Sequence, residues 1–309
     1  MIKYLFFILI TLLSGCTTDF SGLEKPEESV YIRFSSCANV QIGVDVSTRS
    51  SAEQPVGILG IGTQVKDTLS ATLVGCDTAS LRRWMKNDMY LYSPYSGLIN
   101  HAEGYSPTFP IDTSSAVVAY AYMPYSDSVR YDNPEECYIP IDLIADGAST
   151  DWMYSGKTAK SKADYLVDQT FAFRFEHAMT CLEFLIEPDM NSEENITITE
   201  ISLGVYNSGK GRLSLIDGEV VMDTASWKAD SVYCIKHNPE KKLSNGGTSF
   251  YTETFYLMPY TLISDLSIVG VWNDGKMSEY KFRMEGNSKN LGPGSKKVFC
   301  VNKITKEKQ

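Results

Sequence analysis

Leu13-Ser14-Gly15-Cys16 is a short motif whose residue types and spacing dictate a chemistry. Small side chains ahead of Cys16 let a peptidase reach the preceding bond, and the Cys16 thiol can then carry diacylglycerol. The motif closes a stretch that opens with the cation Lys3 and runs apolar from Tyr4 to Leu13. That run falls short of the ~20 residues a spanning helix needs. The polar Thr17-Thr18-Asp19 follow it. The reading is a lipoprotein signal over residues 1–15, with Cys16 as the lipidated first residue of the mature chain. An ordinary secretory signal with a chance cysteine is the alternative. Acyl chains at about 0.8 kcal/mol per buried CH₂ would anchor the chain firmly to a membrane. Beyond this stretch, no run approaches ~18 consecutive apolar residues.

Other reactive types give no constellation. The histidines are His101, His177 and His237. His177 shares an alternating apolar face with Phe173, Phe175 and Met179, and Glu176 points to the opposite face of such a strand. A structural histidine is therefore expected there. Cys37, Cys76, Cys137, Cys181, Cys234 and Cys300 have neither C-x-x-C spacing nor a histidine at metal-ligand distance in sequence. Free, mostly buried thiols are expected, with disulfides the alternative. Gly57-x-x-Gly60-x-Gly62 has no helix pattern after it, so it is not read as a phosphate cradle. Glu27-Glu28, Glu135-Glu136 and Glu193-Glu194 are solvated loop charges. No EF-hand spacing occurs. Tyr90, Tyr92, Tyr95 and Tyr105 could form a carbohydrate platform or cover the end of a sandwich. No catalytic residue, cofactor or metal is expected.

The elements that must position these residues are strands. The chain has 309 residues, 43% hydrophobic and 21% charged, an ordinary globular mixture. Its 19 tyrosines lean toward β structure. A net charge of −10 argues against nucleic acid as a partner. After a polar tether at 16–29, Val30, Ile32 and Phe34 alternate with polar residues, as do Ile42, Val44 and Val46. Ser47-Thr48-Arg49-Ser50-Ser51 interrupts this pattern. A weak strand follows at Val56–Ile61. Ala79 to Asn87 reads as a short helix or turn, and Tyr90 to Pro110 as a long ordered loop. Val117–Tyr122 is a buried strand ending at Met123-Pro124-Tyr125. From Phe171 to Ile186 the apolar phase shifts by one residue, which requires a bulge or bend near His177–Cys181. Closely spaced turn signals then predict a meander of short strands, ending at Lys297–Val301. The pair Tyr122-Met123-Pro124-Tyr125 and Leu257-Met258-Pro259-Tyr260 suggests two related sandwiches, divided near Pro188.

The order of several motifs resembles the fimbrillin family of lipoprotein pilins. These are the lipobox with the early strand Tyr31-Ile32-Arg33-Phe34 and then Thr48-Arg49-Ser50; Tyr105-Ser106-Pro107 leading to Tyr122-Met123-Pro124-Tyr125; Asp151-Trp152-Met153-Tyr154-Ser155 followed by Phe173-x-Phe175-x-His177-Ala178; and Phe255-Tyr256-Leu257-Met258-Pro259 with Ile268-x-Gly270-x-Trp272-x-Asp274-Gly275 and Leu291-x-Pro293-Gly294. The resemblance implies an all-β fold of two transthyretin-like antiparallel β-sandwich domains, at 30–188 and 189–309. It implies an outer-membrane lipoprotein at the cell surface. It also implies proteolysis after an arginine, carried over to Arg49, that removes the first strand within 30–49. A neighbouring pilin would then fill the groove by β-strand donation.

The expected function is thus a non-enzymatic fimbrial subunit serving adhesion to a host or bacterial surface ligand. The charged Lys303–Gln309 segment is a poor apolar donor, which favours a tip or accessory subunit. The alternative is a surface glycan-binding lipoprotein of a polysaccharide-uptake system, favoured by an exposed aromatic cluster near Tyr92–Tyr105 or Trp152.

Overall fold

Among the described residues, most alternation of apolar and polar residues is realised as strands. The computed structural model describes residues 33–36, 53–64, 85–94, 96–104, 115–133, 136–188, 195–206, 209–223, 232–244, 250–284 and 291–304. In chain order they form β1 (Phe34–Ser36), β2 (Gln54–Gln64), β3 (Met85–Tyr92), β4 (Leu98–His101), β5 (Ser115–Met123), β6 (Arg130–Asn133), β7 (Glu136–Asp142), β8 (Met153–Ser161), α1 (Lys162–Asp168), β9 (Phe171–Phe173), β10 (Glu176–His177) and β11 (Thr180–Pro188). There follow β12 (Ile196–Tyr206), β13 (Lys210–Ser214), β14 (Val220–Met222), β15 (Val232–His237), β16 (Lys241–Leu243), β17 (Tyr251–Leu257), β18 (Ile263–Trp272), β19 (Met277–Arg283) and β20 (Lys296–Ile304). The fold is all-β and sandwich-like, with one short helix among the described residues.

An eight-stranded sheet runs β10-β8-β5-β2-β3-β4-β1-β9. The other sheets are β17-β11-β20, β15-β12-β18-β19 with β16 also on β12, and β14-β13-β7-β6. Among the described strands two pairings are parallel, β1 with β9 and β11 with β20, so the sheets are not purely antiparallel as expected. Parallel neighbours need long crossovers, and in each case the partners lie far apart in sequence. The later strands also depart from a simple meander. Asp217-Gly218 and Asn273-Asp274-Gly275 do close the local hairpins β13–β14 and β18–β19. Asn207-Ser208-Gly209, by contrast, joins strands of two different sheets.

The apolar run in β5 does not alternate because both of its faces are covered. Val117 through Met123 are all buried. Tyr120 and Tyr122 enter a large core with Ile139, Leu182, Phe184, Ile201 and Phe255. The glycine at 57 on neighbouring β2 makes room for Tyr122, whose ring lies 2.2 Å from where a Cβ would stand. Asn87 is an extra residue in β3, since Ile58 opposes Asp88 while Leu59 opposes Lys86. This bulged residue has φ 82°, and its side chain donates to Ser126 O at 2.8 Å and accepts from the Tyr122 hydroxyl.

Three local readings change. Met85–Asn87 are strand rather than helix, and 79–84 lie outside the described residues. Much of the expected loop from Tyr90 is the β3–β4 hairpin, because Tyr90, Tyr92 and Ile99 need burial more than the glycines and prolines need a loop. The helix occurs instead at α1. There Ser161 Oγ accepts from the Asp164 N–H at 3.1 Å, and Gln169 closes the end in the left-handed region.

The phase change expected near His177–Cys181 becomes a change of sheet. β9 and β10 belong to the eight-stranded sheet, whereas β11 pairs with β17 and β20. Strands from both sides of residue 188 also share a sheet, since β7 pairs with β13, reinforced by a Lys210–Asp142 ion pair at 3.1 Å.

Candidate functional site

The first strand with an apolar face occupies a slot inside the eight-stranded sheet. β1 pairs antiparallel with β4, Phe34 opposite Ile99, and parallel with β9, Phe34 opposite Phe171. Ser36 N–H donates to Gly97 O at 2.8 Å, and Phe171 N–H donates to Arg33 O at 2.8 Å. Three residues make few ladder bonds, so a large share of the hold falls to one side chain. Phe34 is 2% exposed. Its ring meets Tyr90 edge-on at 5.3 Å, stacks on Phe173 at 5.5 Å and meets Phe171 at 5.8 Å. Such aromatic pairs add about 0.5–1.5 kcal/mol each beyond burial.

α1 supplies a second hold. Tyr165 is buried, and its hydroxyl accepts from the Arg33 N–H at 2.7 Å. Burial raises the Tyr165 pKa, partly opposed by its contact with Arg33. Lys160 braces the turn after the helix by bonding Asp168 and the Thr170 carbonyl. That turn leads directly into β9. Withdrawal of β1 would uncover Tyr90, Ile99, Phe171 and Phe173, all buried, together with the ladder groups of two strands.

Cys16 and Arg49, the sequence-predicted lipidation and cleavage residues, lie outside the described residues, as do Val30, Ile32 and Val40–Val46. Arg33–Ser36 are the described part of the predicted segment, with Phe34 its apolar residue. Sequence reasoning missed Tyr165, Ile99 and Phe171 as its partners. The S-x-x-D pattern at Ser161–Asp164 was the available signal for the helix that carries Tyr165.

His177 is not on the buried face with Phe173 and Phe175; it is part-exposed at the sheet change, and its Nδ1 lies 2.9 Å from Asp151 Oδ2. The chain leaves β9 after Phe173 and re-enters the sheet at β10, where His177 stands opposite Met153 of β8. Cys137, Cys181, Cys234 and Cys300 are free. Among the described cysteines only Cys137 is fully buried, while Cys234 and Cys300 are exposed, contrary to the expected burial; Cys37 and Cys76 lie outside the described residues. Burial pushes the Cys137 thiol up to about 12. Burial, then the charge of Glu183, pushes Cys181 up to about 11 against the pull of Lys296. These thiols are poor nucleophiles near neutral pH. Tyr90, Tyr92 and Trp152 are buried and cannot present a sugar-stacking platform. Tyr95 and Tyr105 lie outside the described residues.

No family model and no curated protein matches the chain. Solved structures do. A candidate cell adhesion protein from Bacteroides uniformis is 17% identical with a TM-score of 0.53, the match covering 90% of this chain and 93% of that one. A candidate cell adhesion protein from Bacteroides ovatus is 15% identical with a TM-score of 0.52, covering 88% and 90%. A third from Bacteroides fragilis is 10% identical with a TM-score of 0.51, covering 90% and 95%. At these identities, the likeness is one of fold.

Proposed function

We propose that the chain is a structural subunit of a cell-surface fimbria serving adhesion, anchored through lipid on Cys16 and assembled after its leading strand is cut away. The observation that carries this reading is the slot of β1. A three-residue strand sits between two others, held chiefly by Phe34. Arg49 falls between β1 and β2 in sequence, so a cut there leaves β1 with no covalent tie to the rest of the sheet. The strand can then leave, and its slot offers both apolar surface and unpaired backbone to a strand from another subunit. The shared fold of candidate adhesion proteins supports the reading.

An arginine-specific protease should cut after Arg49, release the upstream segment and convert a monomer into an associating species. N-terminal sequencing and size analysis read both outcomes. Resistance at Arg49, or cutting without release or association in the presence of partner subunits, overturns the reading. Separately, Cys16→Ala should move the protein from the membrane fraction to the soluble one. Unchanged fractionation, with no lipid mass on the N-terminal peptide, would remove the anchor from the proposal.

A further inference from the structure

His237 ends β15 with both ring nitrogens facing acceptors. Nδ1 lies 2.6 Å from Glu253 Oε1, and Nε2 meets the carbonyl oxygen of Gly147. The ring stacks on Phe255 with centroids 4.2 Å apart. Glu253, on β17, is buried, and its second oxygen accepts from the Tyr251 hydroxyl. Gly147 belongs to the loop of residues 143–152 that joins β7 to β8. The same loop gives its Ala148 carbonyl to the Tyr256 N–H at 2.7 Å, and Asp151 near its end meets His177.

A neutral imidazole has one N–H and one lone pair. It can donate to Glu253 or to Gly147, and the other contact then sets lone pair against lone pair. Both contacts are satisfied only when the His237–Glu253 pair keeps one further proton. We propose that His237 is a protonation-dependent clamp, holding the β7–β8 loop against β15 and β17 while that proton is present and loosening it when the proton leaves.

The surrounding charges favour the held state. From β17 come Glu253 and Tyr251, and from the loop comes Asp146. On β15 itself Lys236 points to the other face and pairs with Glu200 of β12 at 2.9 Å. Opposite His237, β12 presents the apolar Ile201. Asp142, at the loop's start, is tied to Lys210. Burial alone would drive the proton from His237. The hydrogen bonds to Glu253 and Gly147 and the charges of Glu253 and Asp146 outweigh it, so the pKa lies above the ordinary value. Burial and Glu253 raise Tyr251, which therefore stays a donor. A pKa raised by folding gives stabilisation that is complete below the ordinary value of about 6.5 and fades as pH climbs through the higher folded value.

The test is NMR on the chain across about pH 6 to 9, a window that starts near the ordinary histidine value and extends above it. The His237 ring signal should titrate above the ordinary histidine value. Over the same interval the Tyr256 and Ala148 amides should lose about tenfold or more in protection, after correction for intrinsic exchange, while β12 amides hold. His237→Gln should abolish that loss. Glu253→Gln, a second variant, should move it to lower pH. Titration of His237 at or below its ordinary value in the parent protein, or an equal loss of protection in His237→Gln, overturns the clamp.

Discussion

Phe34→Ala is expected to free β1 from its slot, at a loss of about 3–5 kcal/mol. The strand has only three residues, and its neighbours bond it through few backbone groups. Its buried ring is packed by Tyr90, Phe171 and Phe173. An alanine there leaves a cavity whose walls are aromatic rings too large to close over it. The release is local, because β2, β3, β5 and β8 form their own ladders without β1. Hydrogen exchange should therefore show the Ser36 and Phe171 amides, bonded to Gly97 O and Arg33 O, losing protection. Amides along β5 should keep theirs. The variant would imitate the cleaved chain, so it should associate without any protease. Undiminished protection of both amides would show that Phe34 is not the anchor.

That anchor was only half legible in the sequence. Alternation at Ile32 and Phe34 marks a strand with an apolar face, but not its neighbours. β1 pairs with β4 and β9, and β9 lies more than a hundred residues away. Such pairing is fixed by which apolar faces meet, and no local signal records it. The phase shift between Phe173 and Leu182 was legible, because side-chain period in a strand is strict. What it meant was not. A bulge within one strand and a change of sheet leave the same trace in sequence. Composition misled at Tyr90 to Pro110, where glycines and prolines suggested a loop while Tyr90, Tyr92 and Ile99 formed a hairpin. His237 carried no local signal at all, since its partners Gly147 and Glu253 come from other elements.

Gly218→Ala is expected to cost about 2–5 kcal/mol, through two effects that a control can separate. Gly218 has φ +74°, in the left-handed region where a side chain costs about 1–2 kcal/mol. It also lies beneath the Tyr154 ring, so that an added Cβ would stand 1.8 Å from Cζ. The turn cannot easily move aside. The Gly218 N–H donates to Ser214 O at 3.0 Å, and the Glu219 N–H donates to Asp217 Oδ1 at 3.1 Å. Nor is Tyr154 free to retreat, since β8 is held by β5 on one side and β10 on the other. Gly275, in the β18–β19 turn, has φ +79° with nothing within 4 Å of an added Cβ. Gly275→Ala therefore carries the backbone cost alone, and denaturant unfolding of the two variants isolates the clash. Pairing Gly218→Ala with Tyr154→Ala should return part of the loss, because the added methyl then occupies the space of the ring. Equal destabilisation by the two glycine variants would mean that Tyr154 yields freely, and that this contact between the β13–β14 turn and the eight-stranded sheet contributes little.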